Sequence, residues 1–189
     1  MSIKLAILGL LLERDMHPYE MMVVLKDRSI NKIAKLQMGS LYYAVDQLSK
    51  NGQIEQVEVI QSRDRPEKTI YRITESGRAL FEQLLLQQFR KNDAVYHPMY
   101  IALAFSRHAD PDKIAKLLEE RIREAEHEVN LAYQVYEEHI GIVSRAVLHL
   151  MYGRYEHTLT ELKWLKRLYA DALDHKLGVQ GGPLDTEEE

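Results

Sequence analysis

Apolar residues along this chain recur at helical spacing, then nearly alternate, then return to helical spacing for the whole second half. The apolar run Ile3–Leu12 predicts a first helix over 3–14, buried nearly all round. Asp15-Met16-His17-Pro18 breaks it, and Pro18 suits the first turn of a second helix, where its missing N–H costs little. That helix reaches about Arg28, with Tyr19, Met22, Val23 and Lys26 along one side. A connector covers 29–36. A third helix is predicted over 38–50, with Leu41, Ala44, Val45 and Leu48 as its apolar stripe, closed by Asn51-Gly52.

Residues 53–60 and 68–73 are rich in β-branched side chains and partly alternate. The polar, proline-containing segment 61–67 lies between them, which predicts a β-hairpin with a long charged tip. Thr74 is placed to cap a fourth helix over 75–91, with Glu75 in its first turn. Three helices, a hairpin and a trailing helix is the order of a winged helix-turn-helix.

A second region starts near Asn92. A short helical pattern covers 97–106, and Asp110-Pro111 starts another helix. On it Leu118, Ile122, Ala125, Val129, Ala132 and Tyr136 recur alternately four and three apart, a heptad seam for lengthwise packing on another helix. After Gly141 a long helix is predicted over about 142–176, striped by Leu159, Leu162, Leu165, Tyr169 and Ala172. Gly153 inside it serves either a close backbone approach or a bend. The expected fold class is mainly α with one small β-hairpin. Residues 1–92 would form the winged unit, 93–178 a helical dimerisation unit, and 179–189 a disordered acidic tail.

Charge first argues against a nucleic-acid partner. The chain of 189 residues carries 25 Lys+Arg against 29 Asp+Glu, a net −4. Divided by segment, the objection goes. Residues 1–95 hold 14 basic and 12 acidic side chains, residues 96–189 hold 11 and 17, and residues 26–91 alone hold 12 and 8. The winged region is therefore basic and the helical region acidic. The absence of cysteine excludes disulfides, thiolate metal sites and a cysteine nucleophile. No apolar stretch approaches the roughly 20 residues that span a bilayer, and Glu13-Arg14-Asp15 follows the first one without a cleavage pattern. No membrane partner and a cytoplasmic location are expected.

The segment Gly39-Ser40-Leu41-Tyr42-Tyr43-Ala44-Val45-Asp46-Gln47-Leu48 through Gly52 resembles the recognition helix of the PadR family of transcriptional regulators. Tyr71-Arg72-Ile73-Thr74-Glu75-Ser76-Gly77-Arg78 is similar to that family's Tyr-x-x-Thr-x-x-Gly-Arg at the end of the wing. Tyr19-Glu20 matches the start of its second helix, with Pro18 where the family more often has glycine. The resemblance covers about residues 3–90. More loosely, Gly153 and Leu162-Lys163-Trp164-Leu165 resemble the helical C-terminal half of larger members, the type shared with virulence activators.

A helix that enters the major groove packs one face on its domain and offers polar groups on the other. Leu41, Ala44, Val45 and Leu48 define the packed face. Gly39, Tyr42, Tyr43, Asp46, Gln47 and Lys50 lie off it. Gly39 and Ser40 would let a phosphate approach the helix start, aided by the helix dipole. Tyr42 and Tyr43 offer hydroxyls to phosphate or a surface to a thymine methyl, and Gln47 and Lys50 reach bases or backbone. The resemblance favours Ser40, Tyr42 and Tyr43 as first contacts; the alternative for Tyr42 is packing under the wing. Asp46 is a poor phosphate contact and is better suited to orienting a neighbouring cation. Arg63, Arg65 and Lys68 are expected at the wing tip, and Lys32 and Lys35 as backbone contacts before the helix.

The resemblance also implies a homodimer formed through the C-terminal helices. Leu118, Ile122, Val129, Tyr136, Leu159, Leu162, Leu165 and Tyr169 are the candidate dimerisation residues, although an intramolecular hairpin would produce the same seam. A small aromatic effector is implied as well, with Trp164 and Tyr155 as candidate contacts; packing is the plainer reading of these rings. Eight histidines are present, but His139, His149 and His157 lack the tight spacing of metal ligands. No nucleophile elbow, phosphate-binding glycine loop or zinc-protease motif occurs, so no enzyme, cofactor or metal is expected. The leading expectation is a sequence-specific regulator binding double-stranded DNA, more readily a repressor on a palindromic operator than an activator. A protein-binding helical adaptor and a sensor that has lost DNA recognition are the alternatives.

Overall fold

The computed structural model describes residues 3–28, 37–62, 65–92 and 97–184. The chain divides into two compact units, residues 1–94 and 95–189. The first holds α1 (Ile3–Glu13), α2 (Pro18–Asp27), α3 (Met38–Lys50), β1 (Ile54–Ser62), β2 (Arg65–Ile73) and α4 (Glu75–Arg90). The second holds α5 (Met99–Ala104), a 3-10 turn (Ser106–His108), α6 (Pro111–Glu138) and α7 (Arg145–Leu173).

In the first unit one core gathers Ile7, Leu8, Leu10 and Leu11 of α1, Met21, Met22 and Leu25 of α2, and the Leu41–Leu48 stripe of α3. Ile54 and Ile73 at the root of the hairpin complete it. The buried side of α2 is Pro18, Met21, Met22 and Leu25. Of the residues along the side of Tyr19, Met22, Val23 and Lys26, only Met22 is buried; Tyr19, Val23 and Lys26 are exposed. Met21 and Leu25 set the register, being one helical turn apart on the side that meets α3.

β1 and β2 pair antiparallel from Ile54 opposite Ile73 to Ser62 opposite Arg65, with irregularities between Gln56 and Glu58 and between Ile60 and Ser62. The strands are longer than the alternation indicated. Most of 61–67 is strand, because a bulge beside Pro66, which has no N–H to donate, lets pairing continue past it. The break between α1 and α2 adds a further rung: Met16 and Tyr71 exchange backbone hydrogen bonds at 3.2 and 3.1 Å. Bidentate contact from Arg72 to Asp15 (Nη2 to Oδ2, 2.6 Å) holds the same junction.

The root of the hairpin is a small hub. The Gln53 N–H donates to the Leu48 carbonyl at 2.9 Å, and the Thr74 N–H to the Gln53 carbonyl at 3.2 Å. The Thr74 hydroxyl donates to the Gly52 carbonyl at 2.7 Å and accepts from the Gly77 N–H, capping α4. Gly52 turns the chain at φ +69°. The end of α3, the start of the wing and the start of α4 are therefore tied within a few residues.

In the second unit α6 and α7 form an antiparallel helical hairpin. Ala115 and Leu118 pack on Leu165 and Ala172, with Ile122, Ala125, Leu168 and Tyr169 around them. Arg121–Glu161 (2.8 Å), Lys166–Glu126 (2.7 Å) and Arg154–Glu128 (3.2 Å) bridge the two helices. α7 runs unbroken through Gly153, and a Cβ there would meet no neighbour within 4 Å, so close approach within the protomer is not its role. Among the described residues no helix is long and apolar enough to cross a membrane.

Candidate nucleic-acid interface

The outward face of α3 is set by what its inward face buries. Leu41, Ala44, Val45 and Leu48 are all buried. At about 100° per residue, Gly39, Tyr43, Asp46 and Lys50 fall within about 30° of the opposite direction, spaced four, three and four apart. All four are exposed, and Tyr43 is the most open aromatic on the helix at 68%. They form one line down its centre. Tyr42 lies to one side at 44% exposure. Gln47 is half-buried on the other flank, and Ser40 is exposed in the first turn.

At the N-terminal end of this line Gln37 offers no side-chain cap. The first N–H groups of a helix favour a negatively charged acceptor. A Cβ at Gly39 would meet nothing within 4 Å, so no packing demand requires glycine there. At the other end Lys50 Nζ lies 2.8 Å from Asp46 Oδ2. That carboxylate raises the Lys50 pKa above its ordinary value through a hydrogen bond and its charge. The expectation that Asp46 orients a cation is met by this geometry, and the cation is Lys50.

The wing carries fewer described cations than the sequence suggests. Lys32, Lys35 and Arg63 lie outside the described residues, and Arg65 opens β2 with its side chain outside them too. Lys68 is not at the tip as expected. It is within β2 opposite Ile60, exposed, and close enough to His17 to act on it. His17 precedes α2 and its Nδ1 accepts the Tyr19 N–H at 3.0 Å. Partial burial lowers the His17 pKa, and the Lys68 ammonium lowers it further, while Glu20 opposes both. Sequence reasoning passed over His17 because histidine is an uncommon N-cap.

The candidate dimerisation residues separate in the second unit. Leu118, Val129, Leu162 and Leu165 are buried within the protomer, so its own hairpin already uses them. Ile122 and Tyr169 are half-buried against the same cluster. Tyr136 and Leu159 are half-buried as well. The apolar side chains left open are others, Leu117, Leu131, Ile140, Ile142, Val147 and Leu150 among them.

The two candidate ligand contacts mark two places. The Trp164 ring stands edge-on to His97 at 4.9 Å and to Tyr100 at 6.0 Å. Tyr155 instead joins Tyr133 and Tyr152 at 5.0 and 5.5 Å, with Tyr136 beyond. Nine residues along one helix separate the two groups by about 13 Å and half a turn. An apolar cavity of about 250 Å³, lined by Met99, Leu103, Ile114, Leu117, Leu118 and Leu168, has Arg121 at its edge. Arg121 also bonds Glu161, which lies 3.5 Å from His97. His97, Tyr100 and Arg121 could not be foreseen, because they meet α7 only through tertiary packing. Among the described residues no group of three His, Asp or Glu is placed to hold a metal ion.

Residues 7–83 match the model of the transcriptional regulator PadR-like family. No curated protein matches the chain. Among solved structures, Bacillus subtilis PadR in complex with operator DNA is 17% identical, with a TM-score of 0.73 over 89% of this chain and 96% of that one. The same protein in complex with p-coumaric acid is 16% identical (TM-score 0.76; 90% and 98% covered). The Vibrio cholerae virulence activator AphA is also 16% identical (TM-score 0.69; 92% and 99% covered). The mainly helical fold with one hairpin is the fold of these regulators.

Proposed function

Since this chain carries a PadR-like transcriptional-regulator domain over residues 7–83, we propose that it is a homodimeric, sequence-specific DNA-binding repressor. The observation that carries the reading is the line Gly39–Tyr43–Asp46–Lys50. A helix with its whole apolar stripe buried presents an uncapped N-terminus, an open tyrosine and a terminal lysine in one direction. That is a surface shaped for a groove and a phosphate. Lys68 on the wing, with Arg63 and Arg65, adds backbone contacts that set affinity and salt dependence.

One winged unit grips too few base pairs to bind tightly alone. Two, related by a two-fold axis, read half-sites about one helical turn apart. The apolar residues that the α6–α7 hairpin leaves open, Ile140, Ile142, Val147 and Leu150 among them, are the surface for the second copy. The operator is then palindromic, and the regulator works in the cytoplasm. A small aromatic effector would be held beside Trp164, whose ring neighbours are His97 and Tyr100, and its binding would release DNA. Bacillus subtilis PadR, the structural neighbour bound to p-coumaric acid, supports that class of ligand.

A mobility-shift assay of the full chain against the DNA upstream of its own gene, with random duplex as competitor, tests the reading. A shift that survives competitor is expected. Its absence at low salt, with folded dimer present, would overturn it. Transcription from that promoter with the protein added separates repression, a fall in transcript, from activation.

A further inference from the structure

We propose that Asp46 and Lys50 act together as one reader of a G·C base pair. The carboxylate accepts from the cytosine N4 amino group and the ammonium donates to guanine O6 and N7. This inference rests on the DNA-binding reading above and assigns a sequence preference to it. Asp46 is exposed, sits in the middle of α3 and caps no helix end; the core stripe lies on the other side. Its local role is the exposed i,i+4 ion pair with Lys50, a weak helix-stabilising contact that leaves the outer side of the carboxylate open. In the centre of a line that faces a polyanion, its charge opposes approach unless a hydrogen-bond donor meets it.

The major-groove edges supply two such donors, cytosine N4 and adenine N6. Adenine N6 stands beside the N7 acceptor of the same base, which repels a carboxylate. Cytosine N4 has no acceptor beside it on its own base, and its neighbour across the pair is guanine O6. The Asp46–Lys50 pair, 2.8 Å apart, sets an acceptor beside a donor in the complementary order. The ammonium has three N–H groups, so it can keep Asp46 and still serve O6 and N7. In an A·T pair the thymine methyl stands beside O4 and crowds the lysine. Tyr43, one turn before Asp46 on the same line, then meets the neighbouring step.

The test is selection of bound sequences from a random duplex library by the full-length protein, as wild type, Asp46→Asn, Asp46→Ala and Lys50→Ala. Circular dichroism confirms each fold. The wild type is expected to select a motif with one fixed G·C pair in each half-site. Replacing that pair by A·T should weaken binding about tenfold. Asp46→Ala and Asp46→Asn should reduce that preference to less than about twofold and leave the other positions unchanged. Lys50→Ala should relax the same position. If Asp46→Ala instead tightens binding to all sequences equally and alters no preference, the carboxylate only repels and the inference fails. If no variant selects any motif while folded, the DNA-binding reading itself fails and this inference falls with it.

Discussion

The α-carbon of Gly77 sits against the carbonyl of Gln53. A Cβ built at position 77 would lie 2.0 Å from that oxygen and 2.7 Å from Ile73 Cγ1. The same carbonyl accepts the Thr74 N–H, and the Thr74 hydroxyl accepts the Gly77 N–H. One glycine thus lets α4 start flush against the root of the wing. This gives a physical reason for the Thr-x-x-Gly spacing: the cap needs the threonine, and the approach permits no side chain three residues later.

Gly77→Ala should therefore destabilise the first unit by at least about 2 kcal/mol, because the methyl group meets backbone rather than a side chain that can move. Urea unfolding checks it. Gly39→Ala, where nothing lies within 4 Å, should leave stability unchanged or slightly improved and weaken DNA binding only.

Tyr43→Ala should leave stability within about 0.5 kcal/mol of wild type, since the side chain is mostly in solvent. It should weaken specific binding while the dimer persists. Lys68→Ala should weaken binding evenly across sequences and reduce the salt slope by about 1. Fluorescence anisotropy at several salt concentrations separates the two effects.

His17 gives the α2 N-terminus a pH dependence. Its neutral Nδ1 accepts the Tyr19 N–H, and burial and Lys68 hold its pKa below the ordinary value of about 6.5. With the folded pKa depressed, protonation favours the unfolded chain. The contribution is complete above about pH 6.5 and is lost as pH falls from there through the folded value. His17→Asn keeps a capping acceptor that does not titrate. Thermal melts from pH 7.5 to 5 should fall more steeply for wild type than for that variant.

Leu165 and Leu150 test which apolar residues belong to the protomer. Leu165 is fully buried between α6 and α7. Leu165→Ala should cost about 2–5 kcal/mol of stability. Leu150 is half exposed on α7. Leu150→Glu should keep helix content and shift the mass seen by light scattering from dimer toward monomer.

Periodicity alone located α3 to the residue, placed Leu41, Ala44, Val45 and Leu48 on its inner side, and identified Thr74 as the cap of α4. Those features are local. Stripe, cap and turn chemistry act within a few residues and are written in the order of the chain. The inner side of α2 is not legible in its sequence, because its ten residues carry apolar side chains on nearly every face and the pattern admits two stripes. The strands were read too short because a bulge beside Pro66 breaks alternation without ending pairing. Packing alone decided the rest. Leu118 of the heptad seam and Leu162 and Leu165 of the next helix's stripe specify that two helices lie side by side, and only the three-dimensional hairpin places them inside one protomer. Likewise Trp164 and Tyr155 share a helix but not a face, and Asp46 gains meaning from the direction in which the buried stripe turns it. A residue's neighbours along the chain are set by the order of the sequence; its neighbours across space exist only once burial has chosen which face of each helix is hidden.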